Sequence, residues 1–288
     1  MTRDSLADVM AALEGAATAG PPARAPRAVK VGVDLGTAYT VLVVLDEDDR
    51  PLAMAYEYAN VVRDGVVTDF IGAVDVVRRL KQDVESRTGV RLEAAQGAYP
   101  PGVPLSEVRA VQHVIEACDM DCTGFVDEPT AANAVLRLRD GVVVDVGGGT
   151  TGVAVLQDGE VVHTADEATG GTHLSLVIAG ALGVSYEEAE TLKKDPAEQP
   201  RLFPLVRPVM EKVASIVDRA TAGWSAPTVC LAGGSVAFPG FARVVTESLG
   251  REAVVPVSPL FVTPLGIALC ATPHEPVFGH VNPRELSR

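Results

Sequence analysis

Two short segments carry residue types that handle phosphate. Asp34-Leu-Gly-Thr37 and Asp145-Val-Gly-Gly-Gly-Thr150 each follow a valine-rich run and place an acid ahead of glycine and threonine. A strand that ends in an aspartate and turns through glycines aims successive N–H groups into the space beyond it. Such a nest binds phosphate oxygens without a protein cation. The missing Cβ at Gly147, Gly148 and Gly149 permits close approach of a phosphate, and Thr37 and Thr150 add hydroxyl donors. Asp34 and Asp145, facing each other across a cleft, would hold a hydrated Mg²⁺, the usual company of a di- or triphosphate. A third turn, Leu231-Ala-Gly233-Gly234-Ser235, precedes a helical stretch, so a purine or ribose could lie against its bare backbone. Each corner alone is equally a strained hairpin. Together they match neither G-x-x-x-x-G-K-[ST] nor G-x-G-x-x-G, which sets aside the P-loop and dinucleotide-binding readings.

The surrounding pattern supplies strands to hold these corners. Apolar runs at 29–36 and 40–45 flank Gly36-Thr37-Ala38-Tyr39, and 51–58 reads as a third strand. A helix follows over 73–87, with Ala73, Val76, Val77, Leu80 and Val84 on one face and Gly89 as its stop. A second helix reads over 106–117. Then the pattern begins again. Runs at 141–146 and 151–156 flank the second corner, Asp158-Gly159 turns the chain as a two-residue hairpin, and 160–163 returns. Helices at 172–182, 185–194, 204–222 and 238–249 follow, with strands at 228–231 and 253–257. Strand, acid, glycine corner and returning strand thus occur twice, the mark of an internally duplicated domain.

A chain of 288 residues has room for about two domains, and 47% hydrophobic residues supply a core for both. The 24 Lys and Arg against 38 Asp and Glu, a net charge of −14, argue against nucleic acid or an anionic membrane surface as the partner. The longest apolar stretch, 174–184, is interrupted by Ser175 and Gly180 and falls short of the roughly 18–20 residues a membrane span needs. The opening MTRDSLADVM lacks the apolar core of a secretory signal. Cys118, Cys122, Cys230 and Cys270 are too scattered for a disulfide framework and read as reduced thiols of a cytoplasmic protein. The five histidines show no zinc-ligand spacing.

Residues 1–28 stand apart. Leu6, Val9, Met10 and Leu13 form one apolar helical face, and the Ala/Gly/Pro-rich stretch 15–26 reads as a linker. A docking helix on a tether and a disordered tail both satisfy this pattern.

In order, Asp34-Leu-Gly-Thr, Asp127-Glu-Pro-Thr-Ala-Ala, Asp145-Val-Gly-Gly-Gly-Thr, Leu231-Ala-Gly-Gly-Ser and Thr263-Pro-Leu-Gly-Ile-Ala resemble the five signatures of the actin/Hsp70/sugar-kinase superfamily. Those are phosphate 1, connect 1, phosphate 2, adenosine and connect 2, and the match runs over about residues 29–272. Asp127-Glu-Pro-Thr, Ala165-Asp-Glu-Ala-Thr-Gly-Gly-Thr-His-Leu-Ser-Leu and Leu260-Phe-Val-Thr-Pro-Leu are further similar to the short Hsp70-like proteins of ethanolamine utilization. The resemblance implies an α/β, actin-like ATPase fold with two ribonuclease-H-like lobes around a nucleotide cleft. It divides the chain into a flexible N-terminal segment, 1–28, with a short amphipathic helix, and two lobes. The first lobe would be 29–138, completed by about 262–288, and the second 139–261.

The same resemblance implies ATP or ADP with Mg²⁺. Asp34, Gly36 and Thr37 would form the first phosphate grip, Asp145, Gly147, Gly148, Gly149 and Thr150 the second, and Gly233, Gly234 and Ser235 the adenosine contact. Gly171 would approach a phosphate, or simply open a helix at Thr172. Asp34 and Asp145 would hold Mg²⁺ through water, and Glu128 would join them as the catalytic acid that positions the attacking water. Tyr186-Glu-Glu-Ala-Glu190, followed by Lys193 and Lys194, reads as a solvated helix face. It is also similar to the family run beside adenosine, with Glu188 and Glu190 as contacts. One departure stands out: Hsp70-like ATPases carry a second acid seven residues after the phosphate-2 aspartate, and here that position is Gly152. The phosphate-contacting lysine has only Lys81 as a counterpart by order. ATP binding with slow or absent turnover follows, at most a weak ATPase.

The function implied is a nucleotide-dependent chaperone or assembly factor for ethanolamine-utilization enzymes or for the shell proteins of a bacterial microcompartment. The helix at 4–14 would serve as a docking tag. With the lobes taking nearly the whole chain, no segment is left for the peptide-holding β-sandwich of Hsp70s. An actin-like filament protein and a cobalamin-enzyme reactivating factor are built on the same fold. A small-metabolite kinase is the remaining alternative, but 29–138 leaves little room for an acceptor pocket beside a base.

Overall fold

The computed structural model describes residues 3–63, 65–224 and 227–278. The first half runs α1 (Arg3–Ala16), β1 (Val29–Leu35), β2 (Tyr39–Asp46), β3 (Pro51–Tyr58), β4 (Val62–Arg63), β5 (Val66–Val67), α2 (Phe70–Thr88), β6 (Val90–Arg91), β7 (Ala94–Tyr99), α3 (Leu105–Glu116), β8 (Asp121–Asp127) and α4 (Glu128–Leu136). The second runs β9 (Gly141–Val146), β10 (Thr151–Gln157), β11 (Glu160–Glu167), α5 (Gly171–Leu182), α6 (Tyr186–Lys194), α7 (Gln199–Ala220), β12 (Val229–Ala232), α8 (Phe241–Leu249), β13 (Ala253–Val254), α9 (Val262–Cys270) and β14 (Val277–Phe278).

The duplication read from sequence is a duplication of topology. One sheet has the order β3-β2-β1-β7-β8, the other β11-β10-β9-β12-β13. In each, three antiparallel strands joined by hairpins continue into two parallel ones. The corners are built alike. Gly36 N–H donates to Tyr39 O at 3.1 Å, and Gly147 N–H donates to Thr150 O at 3.0 Å. The Asp158-Gly159 turn has positive φ at both residues, 54° and 89°, as a hairpin matched to strand twist requires.

Helix ends follow the local chemistry. Asp69 caps α2 by accepting from Gly72 N–H, and Gly89 ends it in the left-handed region. Asp127 accepts from Thr130 N–H, so α4 begins at Glu128 with Pro129 in its first turn. Helix α7 starts at Gln199, earlier than the 204 expected, and contains Pro204 and Pro208. Its buried face (Leu202, Val206, Met210, Val213, Val217) outweighs the hydrogen bonds those prolines remove.

Each sheet packs its own core, Val31, Val33, Leu42 and Val77 in the first and Val144, Val153, Met210 and Phe241 in the second. A third cluster lies between them, drawing Val43, Leu45 and Met54 from one sheet, Val143 and Leu156 from the other, and Leu265 from α9. At its centre α4 and α9 cross almost in backbone contact. A Cβ on Gly266 would overlap the carbonyl of Ala131.

The expectation of a flexible segment over 1–28 is corrected. Met10 and Leu13 of α1 are fully buried in that third cluster, against Met54 and Leu45. Arg87 donates to Ala16 O and to Ala19 O, and Arg27 N–H donates to Glu47 at 3.0 Å. The amphipathic face was legible, but its partner is the protein's own sheet. Leu13→Ala is expected to cost about 2–5 kcal/mol in chemical denaturation and to speed trypsin cleavage after Arg24 or Arg27. Of the stretch 262–288 expected to complete the first lobe, residues 279–288 lie outside the described residues. No helix among the described residues is long and apolar enough to cross a membrane.

Candidate functional site

The two glycine corners face each other. A Cβ on Gly148 would lie 3.0 Å from Ala38 Cβ, 3.1 Å from Ala38 N and 3.2 Å from Thr37 Cβ. Behind them the chain forms two adjoining recesses that share Asp34, Gly36, Thr37, Asp145, Gly147, Gly148 and Thr263. The larger, about 360 Å³, is lined by Tyr39, Gly171, Tyr186, Glu190, Lys193 and Gly233–Ser235. The smaller, about 70 Å³, is lined by Glu128, Gly149, Thr150 and the apolar wall of Val62, Val67, Pro100 and Val111.

Asp34 and Asp145 sit near the ends of β1 and β9, and Glu128 opens α4. Burial, then the charge of Asp145, pushes the Asp34 carboxyl up to about 7. Burial also raises Asp145, opposed by the hydroxyl of Thr263, which donates to its Oδ2. Glu128 is held well above the usual carboxylate range by burial first, then by the charges of Asp145, Asp34, Asp166 and Asp127. Three acids thus crowd one end of the cleft, which fits a cation between them. Among the described residues no three His, Cys, Asp or Glu side chains converge as direct metal ligands.

The second corner is locked from behind. The carbonyl of Gly147 accepts from Gly171 N–H at 2.9 Å and from Ser235 Oγ at 2.6 Å, and Gly148 O accepts from Thr172 N–H at 2.8 Å. The amides of Gly148 and Gly149 make no backbone hydrogen bond among the described residues. Two sequence expectations change in detail. Gly171 gives its N–H to Gly147 rather than to the cleft, and Ser235 gives its hydroxyl to the same carbonyl rather than to the recess it lines. Gly233 has φ +89°, and a Cβ there would strike Asp145 Oδ1 and Val146 O, so only glycine fits.

Side chains from both halves meet beside the larger recess. Lys194 Nζ lies 5.3 Å from the ring centre of Tyr39 and 4.7 Å from that of Tyr58, whose rings meet edge to face. Burial and the neighbouring Tyr186 and Glu190 push the Tyr58 hydroxyl up to about 12. The expectation of a solvated α6 is corrected: Glu190 is 8% exposed, pairs with Lys193 and accepts from Ser175. Lys193 also donates to Gly171 O at 3.2 Å. Glu188, the other contact expected from that run, gives its N–H to the capping Ser185 and is exposed. Lys81, the only counterpart for a phosphate-contacting lysine, is corrected too. It donates to Cys118 O at 3.0 Å and Asp119 O at 3.2 Å, away from both recesses. Residues the sequence reading gave no site role are Tyr39, Tyr58 and Lys194 beside the larger recess and the Thr263 hydroxyl on Asp145. Tyr39, Lys194 and Thr263 each lay within a segment already noted, whereas Tyr58, at the end of an expected strand, carried no signal.

Gly152 pairs with Asp166 across β10 and β11. A Cβ on Gly152 would lie 3.6 Å from Asp166 Oδ1, 3.6 Å from Pro129 Cγ and 3.7 Å from Pro101 Cδ.

Residues 134–262 match the family model of the type IV pilus assembly protein PilM, and residues 52–189 that of the MreB/Mbl protein. Over 248 residues, 86% of this chain and 87% of the relative, the sequence is 42% identical to the ethanolamine utilization protein EutJ of Escherichia coli (strain K12). The chain belongs to the EutJ family of ethanolamine utilization proteins. The crystal structure of EutJ from Carboxydothermus hydrogenoformans matches with a TM-score of 0.87 at 43% identity, covering 97% of this chain and 100% of that one. MreB5 of Spiroplasma citri, solved with AMPPNP bound, matches with a TM-score of 0.67 at 16% identity, over 85% of this chain and 95% of its own. At that identity the likeness shows fold alone. EutJ and MreB together establish the actin-like ATPase fold expected from the motif order.

Proposed function

We propose that this chain binds ATP or ADP with Mg²⁺ between its two lobes, turns it over slowly, and acts through lobe movement as a chaperone or assembly factor in ethanolamine utilization. The observation that carries the reading is the pair of glycine corners facing each other at Gly148 and Ala38 over three crowded acids. The shapes agree with it. The larger recess takes a nucleoside, the free amides of Gly148 and Gly149 take phosphates, and the smaller recess beside Glu128 takes the terminal phosphate and its attacking water. MreB5 has been solved with AMPPNP and with ADP, and a dehydratase activator of the same fold with ADPNP, which supports a nucleotide here. Asp34 and Asp145 would hold Mg²⁺ through water, and the ion would supply positive charge against that of the phosphates.

The partners proposed are ethanolamine-utilization enzymes or microcompartment shell proteins; family membership supports the ethanolamine-utilization system. The docking-tag role for α1 loses its footing, since the apolar face a tag would offer is already covered. Saturating Mg-ATP, at about a hundred times its Kd, is expected to stabilise the protein by about 2.7 kcal/mol and to raise its melting temperature by about 5–10 °C. Gly148→Val, which wedges the corners apart, is expected to erase that shift. A wild-type protein that melts at the same temperature with and without Mg-ATP or Mg-ADP overturns the reading. Co-purification from the native host, with and without ATP, identifies the partner.

A further inference from the structure

Glu128 stands at the end of the smaller recess, where the terminal phosphate and its attacking water would lie. The sequence offers no acid at position 152 to accompany it. The structure brings one from the next strand. Gly152 and Asp166 are direct partners in the antiparallel β10–β11 register, so a side chain at either position leaves the same face of the sheet. That face looks toward the first turn of α4. The space where a side chain at 152 would start is bounded by Pro129, next to Glu128, and by Pro101, next to the recess-lining Pro100. The Asp166 carboxylate reaches over that same space, with Oδ1 3.6 Å from the Cβ position.

Glycine at 152 is not demanded by the backbone. Its φ is not in the left-handed region, and a Cβ there would meet its neighbours only at ordinary van der Waals distance. What glycine leaves is room beyond Cβ, and a carboxylate from β11 uses it. The charge of Asp166 also reaches Glu128, whose other charged neighbours are Asp145, Asp34 and Asp127.

We infer that Asp166 is a positioning residue for Glu128, entering from β11 through the gap at Gly152 and orienting the carboxylate that handles the attacking water. The inference rests on the proposed nucleotide reading. In the step it serves, the water oxygen forms a bond to the γ-phosphorus. The bond from that phosphorus to the bridging oxygen breaks with its electron pair leaving on ADP, and the water proton passes to Glu128.

The test compares Mg-ATP binding with single- and multiple-turnover hydrolysis in wild type, Asp166→Asn, the relocated pair Gly152→Asp/Asp166→Gly, and Glu128→Gln as the background rate. Asp166→Asn is expected to keep its Kd and KM for Mg-ATP and to lose about 10- to 100-fold in kcat, less than the roughly 10²- to 10⁴-fold of a proton-transfer group itself. Relocating the carboxylate to 152 is expected to restore the rate to within about threefold, which a purely structural role for Asp166 would not produce. Unchanged turnover in Asp166→Asn overturns the inference, and so does a parallel loss of binding and rate. Wild-type turnover no faster than that of Glu128→Gln overturns it as well and leaves nucleotide binding standing. Failure of the wild type to bind Mg-ATP overturns the functional reading beneath it.

Discussion

Gly266→Ala is expected to be the most damaging single methyl group in this protein, lowering the melting temperature by about 6–12 °C in a circular dichroism melt. The added Cβ would overlap the carbonyl oxygen and carbon of Ala131, with Ala131 Cα at 3.1 Å. Those are backbone atoms of α4, and no rotamer change moves them. Nor can α9 retreat. Its opposite side lies on β1, where a Cβ on Gly32 would already be 2.5 Å from Ala268 N. Leu265, Ile267 and Ala268 are fully buried around it. Overpacking at a site that cannot relax costs about 3 kcal/mol, and each kcal/mol moves Tm by about 2–4 °C in a protein of this size. Gly180→Ala is the control. Gly180 is helical, exposed and has nothing within 4 Å of its Cβ position, so alanine there is expected to stabilise by about 0.5–1 kcal/mol.

The second large effect concerns pH. Asp34 titrates at about 7 in the folded chain against 3.8 when unperturbed, chiefly through burial. Between those values the folded state holds a proton that the unfolded state has lost, so stability falls as pH rises through that window. Asp145 and Glu128, also raised, act in the same direction. The metal-free, nucleotide-free protein is therefore expected to melt at a higher temperature at pH 5.5 than at pH 8. Asp34→Asn removes that titration, so it is expected to raise the melting temperature at pH 8, to flatten the slope, and to abolish stabilisation by Mg-ATP. A wild type that melts at the same or a higher temperature at pH 8 contradicts this account of the acids.

The sequence carried the corners plainly because local chemistry builds them. An acid, glycines and a threonine between two valine runs make the same turn in both halves, and the topologies match strand for strand. Tertiary contacts were harder to read. The face of α1 around Met10 and Leu13 is amphipathic wherever it packs, and only the fold says that it packs on Met54. Glu190 and Lys193 have the spacing of a solvated helix, yet α6 lies against α5, and Ser175 and the Gly171 carbonyl take both charges inside. Lys81 was placed by chain order, which carries no information about the side of the sheet on which a helix lies. Asp166 becomes relevant only through strand register, since it is fourteen positions from Gly152 along the chain and directly opposite it across the ladder.

If the lobes move as proposed, the crossing of α4 and α9 is their axle and sets a mechanical ratio. Glu128 is the first residue of α4, and Thr263, which holds Asp145, is the second of α9, so the chemistry sits close to the axle. The edge strands β8 and β13 close the two sheets on the side opposite β3 and β11, which reach the central cluster through Met54 and Val161. In the proposed lobe movement, rotation about that axle would carry outlying strands through longer arcs than the acids. A partner gripping β8 or β13 would therefore feel an amplified copy of events at the phosphates, and a force applied there would return to the acids with the same leverage.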